Sequence, residues 1–137
     1  MSEGDATNPA GGGRYAPSER DKFRPATAPV IALRMESLLT WTAERVAKFP
    51  RDHKFTVGDR LIETCLDVMA HITDAAYRRD KLAALAAASR SLTRARVLAR
   101  LAAALRCLSG AQHLHFVKES DEVGKMLGGW LKASQSR

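Results

Sequence analysis

Apolar residues recur at three- and four-residue spacing along four successive stretches of this chain, and nowhere do they alternate with polar ones. That period is the signature of amphipathic helices, and the missing alternation excludes a sheet. In the first stretch, from about Val30 to Lys48, Ile31, Met35, Leu38, Thr42, Val46 and Phe49 share one line, broadened by Leu39 and Trp41. Pro50 ends it, because the residue before a proline avoids the helical region. A polar connection with two aromatic anchors, Phe49 and Phe55, follows. Thr56, with Asp59 three residues on, is predicted to cap a second helix over about Val57–Ala76. Its stripe is Leu61, Cys65, Val68, Met69, Ile72 and Ala76, widened by Ile62 and Leu66.

The third stretch, Arg78–Leu108, has no Gly and no Pro and reads as one helix roughly 45 Å long. Two apolar lines run along it. Leu82, Leu85, Ser89 and Leu92 continue into Ala99 and Ala103, while Leu98, Leu101, Leu105 and Leu108 are displaced around the cylinder. A helix apolar on two sides is covered by two sets of neighbours. It is either the centre of a monomeric bundle or packs on its own subunit and on another copy; the second reading is preferred. Ser109-Gly110 is expected to close this helix, with Gly just past the C-terminus. A fourth helix covers about Ala111–Leu131, with Phe116, Val123, Leu127 and Trp130 on one line, joined by Leu114, Val117, Met126 and Leu131. Gly124 and Gly128 predict close helix packing, and Trp130 is placed to dock a last turn weakened by glycine.

Four helices with short links predict an all-α, antiparallel up-down-up-down four-helix bundle over residues 30–133. Residues 1–29, with four of the five prolines and almost no large aliphatic side chains, read as a disordered arm, and residues 134–137 as a disordered tail.

Charge changes this picture. The third stretch carries Arg78, Arg79, Lys81, Arg90, Arg94, Arg96, Arg100 and Arg106 against Asp80 alone, which accounts for the formal net charge of +7. Arginines spread along its length exclude a membrane span. A localised basic helix in a chain of pI about 9.9 points to nucleic acid or an acidic protein surface. The second helix is acidic on one side, through Asp59, Glu63, Asp67 and Asp74. That face is either solvated or answered by arginines of the third helix, in this subunit or a neighbour.

Catalysis finds no support. His113 and His115 sit two apart and face nearly opposite ways on a helix. His71 has Asp67 and Asp74 nearby, but no Glu-x-x-His occurs, so no metal or other cofactor is expected. Phosphate-loop, dinucleotide and nucleophile-elbow motifs are missing too. Cys65 and Cys107 fall on apolar faces, and a reduced pair in a cytoplasmic protein is expected. No signal peptide is evident.

Three segments together resemble one small family: Lys48-Phe49-Pro50-Arg51-Asp52-His53-Lys54-Phe55-Thr56-Val57-Gly58-Asp59-Arg60-Leu61, the Arg-rich third helix, and Gly128-Gly129-Trp130-Leu131-Lys132. The chain is similar, over about Met35–Ala133, to the accessory variability determinant (Avd) proteins of diversity-generating retroelements. These are in turn related to four-helix-bundle proteins encoded in ribosomal-RNA intervening sequences. The resemblance implies a homopentameric barrel that binds the retroelement's reverse transcriptase and its template-repeat RNA or cDNA. It also implies a non-catalytic role in mutagenic retrohoming. Carried onto this sequence, Arg79, Arg90, Arg94, Arg96 and Arg100, with Arg78 beside them, are candidates for the contact surface. Phe49, Pro50, Phe55, Gly58, Gly129 and Trp130 are assigned structural roles. Two other readings stay open: a ribosomal-RNA-associated bundle protein, and an oligomeric scaffold in which the arginines meet the acidic face.

Overall fold

The computed structural model describes residues 27–135, which form four long helices: α1 (Thr27–Val46), α2 (Asp59–Tyr77), α3 (Leu82–Ala104) and α4 (Gly110–Gln135). Each packs along its two neighbours, α1 and α3 both lying against α2 and α4, so the contact runs around the sides of a square. This is the up-down-up-down arrangement that short links impose. No strand occurs among the described residues.

α1 starts three residues earlier than its apolar pattern, taking in Pro29, whose missing N–H is harmless in a first turn. The rest of the expected arm, residues 1–26, and residues 136–137 lie outside the described residues. Every member of the α1 line is buried, Thr42 included. Its hydroxyl donates to the Leu38 carbonyl at 2.7 Å, so the buried polar atom is satisfied.

Entry into α2 differs from the expected Thr56 cap. Pro50 carries the extended backbone (φ −54°, ψ 144°) from which a helix starts, and a turn over Arg51–His53 follows at once. A π turn, Lys54–Gly58, then runs directly into α2. Thr56 is already inside helical backbone, and its hydroxyl turns back to the Asp52 carbonyl at 3.5 Å. The wide turn directs Val57 and Gly58 inward. Phe49 is buried, but Phe55 is 64% exposed, so only one of the two aromatic anchors is an anchor.

The long third helix is shorter than its composition predicts, because both ends carry groups that stop it. Arg78 is extended (φ −99°, ψ 150°). The Lys81 ammonium donates to the carbonyls of Ala75 (2.9 Å) and Arg78 (2.6 Å), satisfying the end of α2. The Asp80 carboxylate accepts from the Leu82 N–H at 3.3 Å as α3 begins. Arg78 and Arg79 therefore belong to a link. At the far end, Cys107 N–H donates to the Ala102 carbonyl (2.8 Å) and Arg106 N–H to that of Ala103 (3.0 Å). This is a Schellman closure, and Arg106 takes its left-handed position at φ 64°. Ser109-Gly110, expected to end α3, instead opens α4. Ser109 Oγ accepts from the Gln112 N–H (3.1 Å) and Gln112 Oε1 from the Ser109 N–H (2.9 Å), a reciprocal capping box.

α3 presents Ala84, Leu85, Ala88, Ser91, Leu92, Ala95, Ala99 and Ala102 to the core. Small side chains there let the neighbouring helices approach. Gly124 of α4 lies in such an approach: a Cβ added to it would stand 3.6 Å from Leu92 Cδ2 and 3.2 Å from Arg96 Nη2. Gly128 has nothing within 4 Å, so only the first glycine of the pair marks close packing. Trp130 is buried, as its position near the helix end predicted.

A candidate basic interface

The two apolar lines read on α3 resolve into one buried face and one that is open. Leu85, Leu92 and Ala99 of the first line are buried, while Leu82 is 40% exposed. In the second line Leu108 is buried and Leu98 half-buried, but Leu101 and Leu105 are 46% and 39% exposed. Val97, which neither line contained, is 49% exposed.

Arg90, Arg94, Val97, Leu101 and Leu105 follow a 4-3-4-4 spacing, which puts them on a single outward stripe, away from buried Ala95, Ala99 and Ala102. The stripe is cationic toward the helix N-terminus and apolar toward its C-terminus. Among the described residues, no ion pair or hydrogen bond engages the guanidinium of Arg90 or Arg94. Arg100 is exposed and flanks the stripe. Arg78 and Arg79 are exposed in the link beyond the start of α3.

Arg96 faces another way. Its Nε donates to Ser120 Oγ at 3.2 Å and its Nη2 to Asp121 Oδ1 at 2.7 Å, bolting α3 to α4. Ser120 is fully buried, and its own hydroxyl donates a hydrogen bond to the Val117 carbonyl. The other pairs between described residues, Arg34–Glu119 at 3.8 Å and Lys125–Glu122 at 3.6 Å, also use acids of α4. The acidic face of α2 remains open: Asp59, Glu63, Asp67 and Asp74 are exposed, and no ion pair among the described residues joins them to α3. The arginines and that face thus do not neutralise each other within one subunit.

α1 carries a shallow groove lined by Leu33, Glu36, Ser37, Thr40, Trp41 and Glu44, with the Trp41 ring 4.6 Å from that of His115. No group of three or more His, Cys, Asp and Glu among the described residues is placed to hold a metal ion. No described helix is long and apolar enough to cross a membrane. Both cysteines are free. Burial pushes the Cys65 thiol up to about 12, against a smaller opposing pull from its hydrogen bond with Thr42. Burial also raises Cys107. A nucleophilic cysteine needs the opposite shift.

The chain is thus a four-helix bundle whose α3 leaves a stripe of cations and aliphatic side chains open. The chain is a member of the bAvd-like family, whose family model matches residues 29–134, nearly all of the four-helix region. This is a family of accessory, non-catalytic proteins. No curated protein and no solved structure matches the chain.

Proposed function

We propose that this protein is the accessory factor of a diversity-generating retroelement, acting in the cytoplasm as a homopentamer. In this role it binds the element's reverse transcriptase and its template-repeat RNA or cDNA through a basic surface, and so supports mutagenic retrohoming. The observation that carries the reading is the α3 stripe, where Arg90 and Arg94 are exposed and unpaired among the described residues. Arginines left without acids are available to phosphates. Val97, Leu101 and Leu105, continuing the stripe, supply apolar area for a protein neighbour, either the polymerase or a second copy.

Fluorescence anisotropy with a labelled structured RNA across roughly 50–300 mM salt tests the reading, alongside capture of the cognate reverse transcriptase. Log affinity should fall linearly with log salt, at about 0.9 per phosphate contact on a duplex. Arg90→Glu with Arg94→Glu should weaken binding and flatten that slope while leaving the sedimenting mass unchanged. If neither RNA nor polymerase binds at low salt, the reading fails. If the double variant breaks assembly instead, the arginines serve a scaffold.

A further inference from the structure

The segment Lys48–Arg60, whose π turn packs on α2 and α3, also carries exposed residues that neither the core nor the α3 stripe uses. Phe49 fills the core, so the bundle has no need of a second phenyl ring there, and Phe55 is left 64% exposed. A single exposed aromatic residue is ordinary. This one has one cation over its ring and others nearby in the chain. Lys54 Nζ lies 5.6 Å from the centre of the Phe55 ring. Arg51 precedes Phe55 by four residues on the same helical path and is exposed, as is Lys48 just upstream of Pro50. Between residues 45 and 60 five basic side chains stand against two acidic ones, Asp52 and Asp59. No ion pair among the described residues engages Lys48, Arg51 or Lys54. The backbone that holds the ring outward is the π turn Lys54–Gly58, a form of helix that is uncommon and concentrates at functional sites.

A flat apolar ring edged by unneutralised cations fits one ligand chemistry well. Phosphates of a flexible polyanion meet the cations, and an unpaired base meets the ring face, which tolerates any base because every base is a π surface. Duplex bases are stacked on one another and cannot reach it. We infer that Phe55, with Lys48, Arg51 and Lys54, forms a second nucleic-acid contact, specific for single strands, on which one unpaired base stacks. This site does not depend on the α3 stripe and goes beyond the function proposed above.

The test is anisotropy of a labelled oligouridylate of about eight nucleotides, with a duplex RNA of matched charge as comparison. Phe55→Ala should lower affinity for the oligouridylate roughly five- to hundredfold without changing its salt slope, and Phe55→Trp should restore it. Lys48→Ala, Arg51→Ala and Lys54→Ala, made singly, should each flatten the single-strand slope by about 0.7. Duplex binding should be indifferent to Phe55→Ala and sensitive to Arg90→Glu with Arg94→Glu, so that failure of either surface is read independently. Wild-type affinity of Phe55→Ala for the oligouridylate would overturn the inference. So would an equal loss on the duplex, or a fall in sedimenting mass, which would make Phe55 part of a contact between copies.

Discussion

Replacing Gly58 with alanine probes the junction where the π turn is wedged against the end of α1. Gly58 has φ −62° and ψ −51°, so the backbone itself accepts alanine and, as a helical position, should gain about 0.5–1 kcal/mol. Space opposes that gain. A Cβ there would lie 2.8 Å from Val46 Cγ1, 3.3 Å from Phe49 Cδ2 and 3.4 Å from the His53 carbonyl oxygen. Val46 and Phe49 are 3% and 5% exposed, so neither can swing into solvent, and a β-branched valine has little rotamer freedom. Overpacking of this kind costs about 1–3 kcal/mol. The net effect is a destabilisation centred on about 1 kcal/mol and at most about 2.5 kcal/mol, a Tm lower by roughly 5 °C for a domain of this size. Gly128 and Gly129 of α4 are the internal controls: nothing lies within 4 Å of a Cβ at either, so alanine should stabilise by about 0.5–1 kcal/mol at each. Thermal and urea unfolding by circular dichroism read all three. In Val46→Ala background the Gly58→Ala penalty should shrink by about 1 kcal/mol, because the clashing methyl is gone. A Gly58→Ala protein as stable as the two controls would refute the packing of the π turn on α1.

Further outcomes follow from the same geometry. Arg106→Gly should stabilise by about 0.5–1 kcal/mol in urea unfolding, since φ 64° strains a residue with a Cβ and suits glycine. Cys65 should resist alkylation in the native protein while Cys107, only half-buried, reacts, as counted by intact mass after timed labelling. With its folded pKa raised to about 12, Cys65 ionises in the unfolded chain first, so stability should decline as pH rises above about 9, by at most about 1.4 kcal/mol per pH unit from this group. Arg96→Ala should cost about 0.5–1 kcal/mol, and a double-mutant cycle with Asp121→Ala should show coupling that fades in salt, because both side chains are partly exposed at 37% and 52%. The RNA salt slope should not change in Arg96→Ala.

What the sequence by itself determined is the set of buried faces. Ile31 to Val46 on α1 with Phe49 just beyond it, Leu61 to Ala76 on α2 and Phe116 to Trp130 on α4 were all legible, because a helix repeats every 3.6 residues and apolar burial follows that period locally. The family resemblance was carried by contiguous residues and was legible for the same reason. Alanine weakened the reading on α3: with so many small residues the pattern does not distinguish a buried face from an open one, and Leu101 and Leu105 were placed inside though they face out, while Leu66 of α2 and Leu114 of α4, at the margins of their stripes, face out as well. Only the tertiary structure decided where α3 stops. Lys81 reaches back to the carbonyls of the preceding helix, and Ser109 pairs reciprocally with Gln112. These are exchanges of end groups that helix propensity does not report. It also decided which arginines are open. Arg96 meets a carboxylate 25 residues away across a helix seam, whereas Arg90 and Arg94, six and two residues earlier, do not. The sequence supplied the charges and the faces; the packing of α4 against α3 engages Arg96 and leaves Arg90 and Arg94 open.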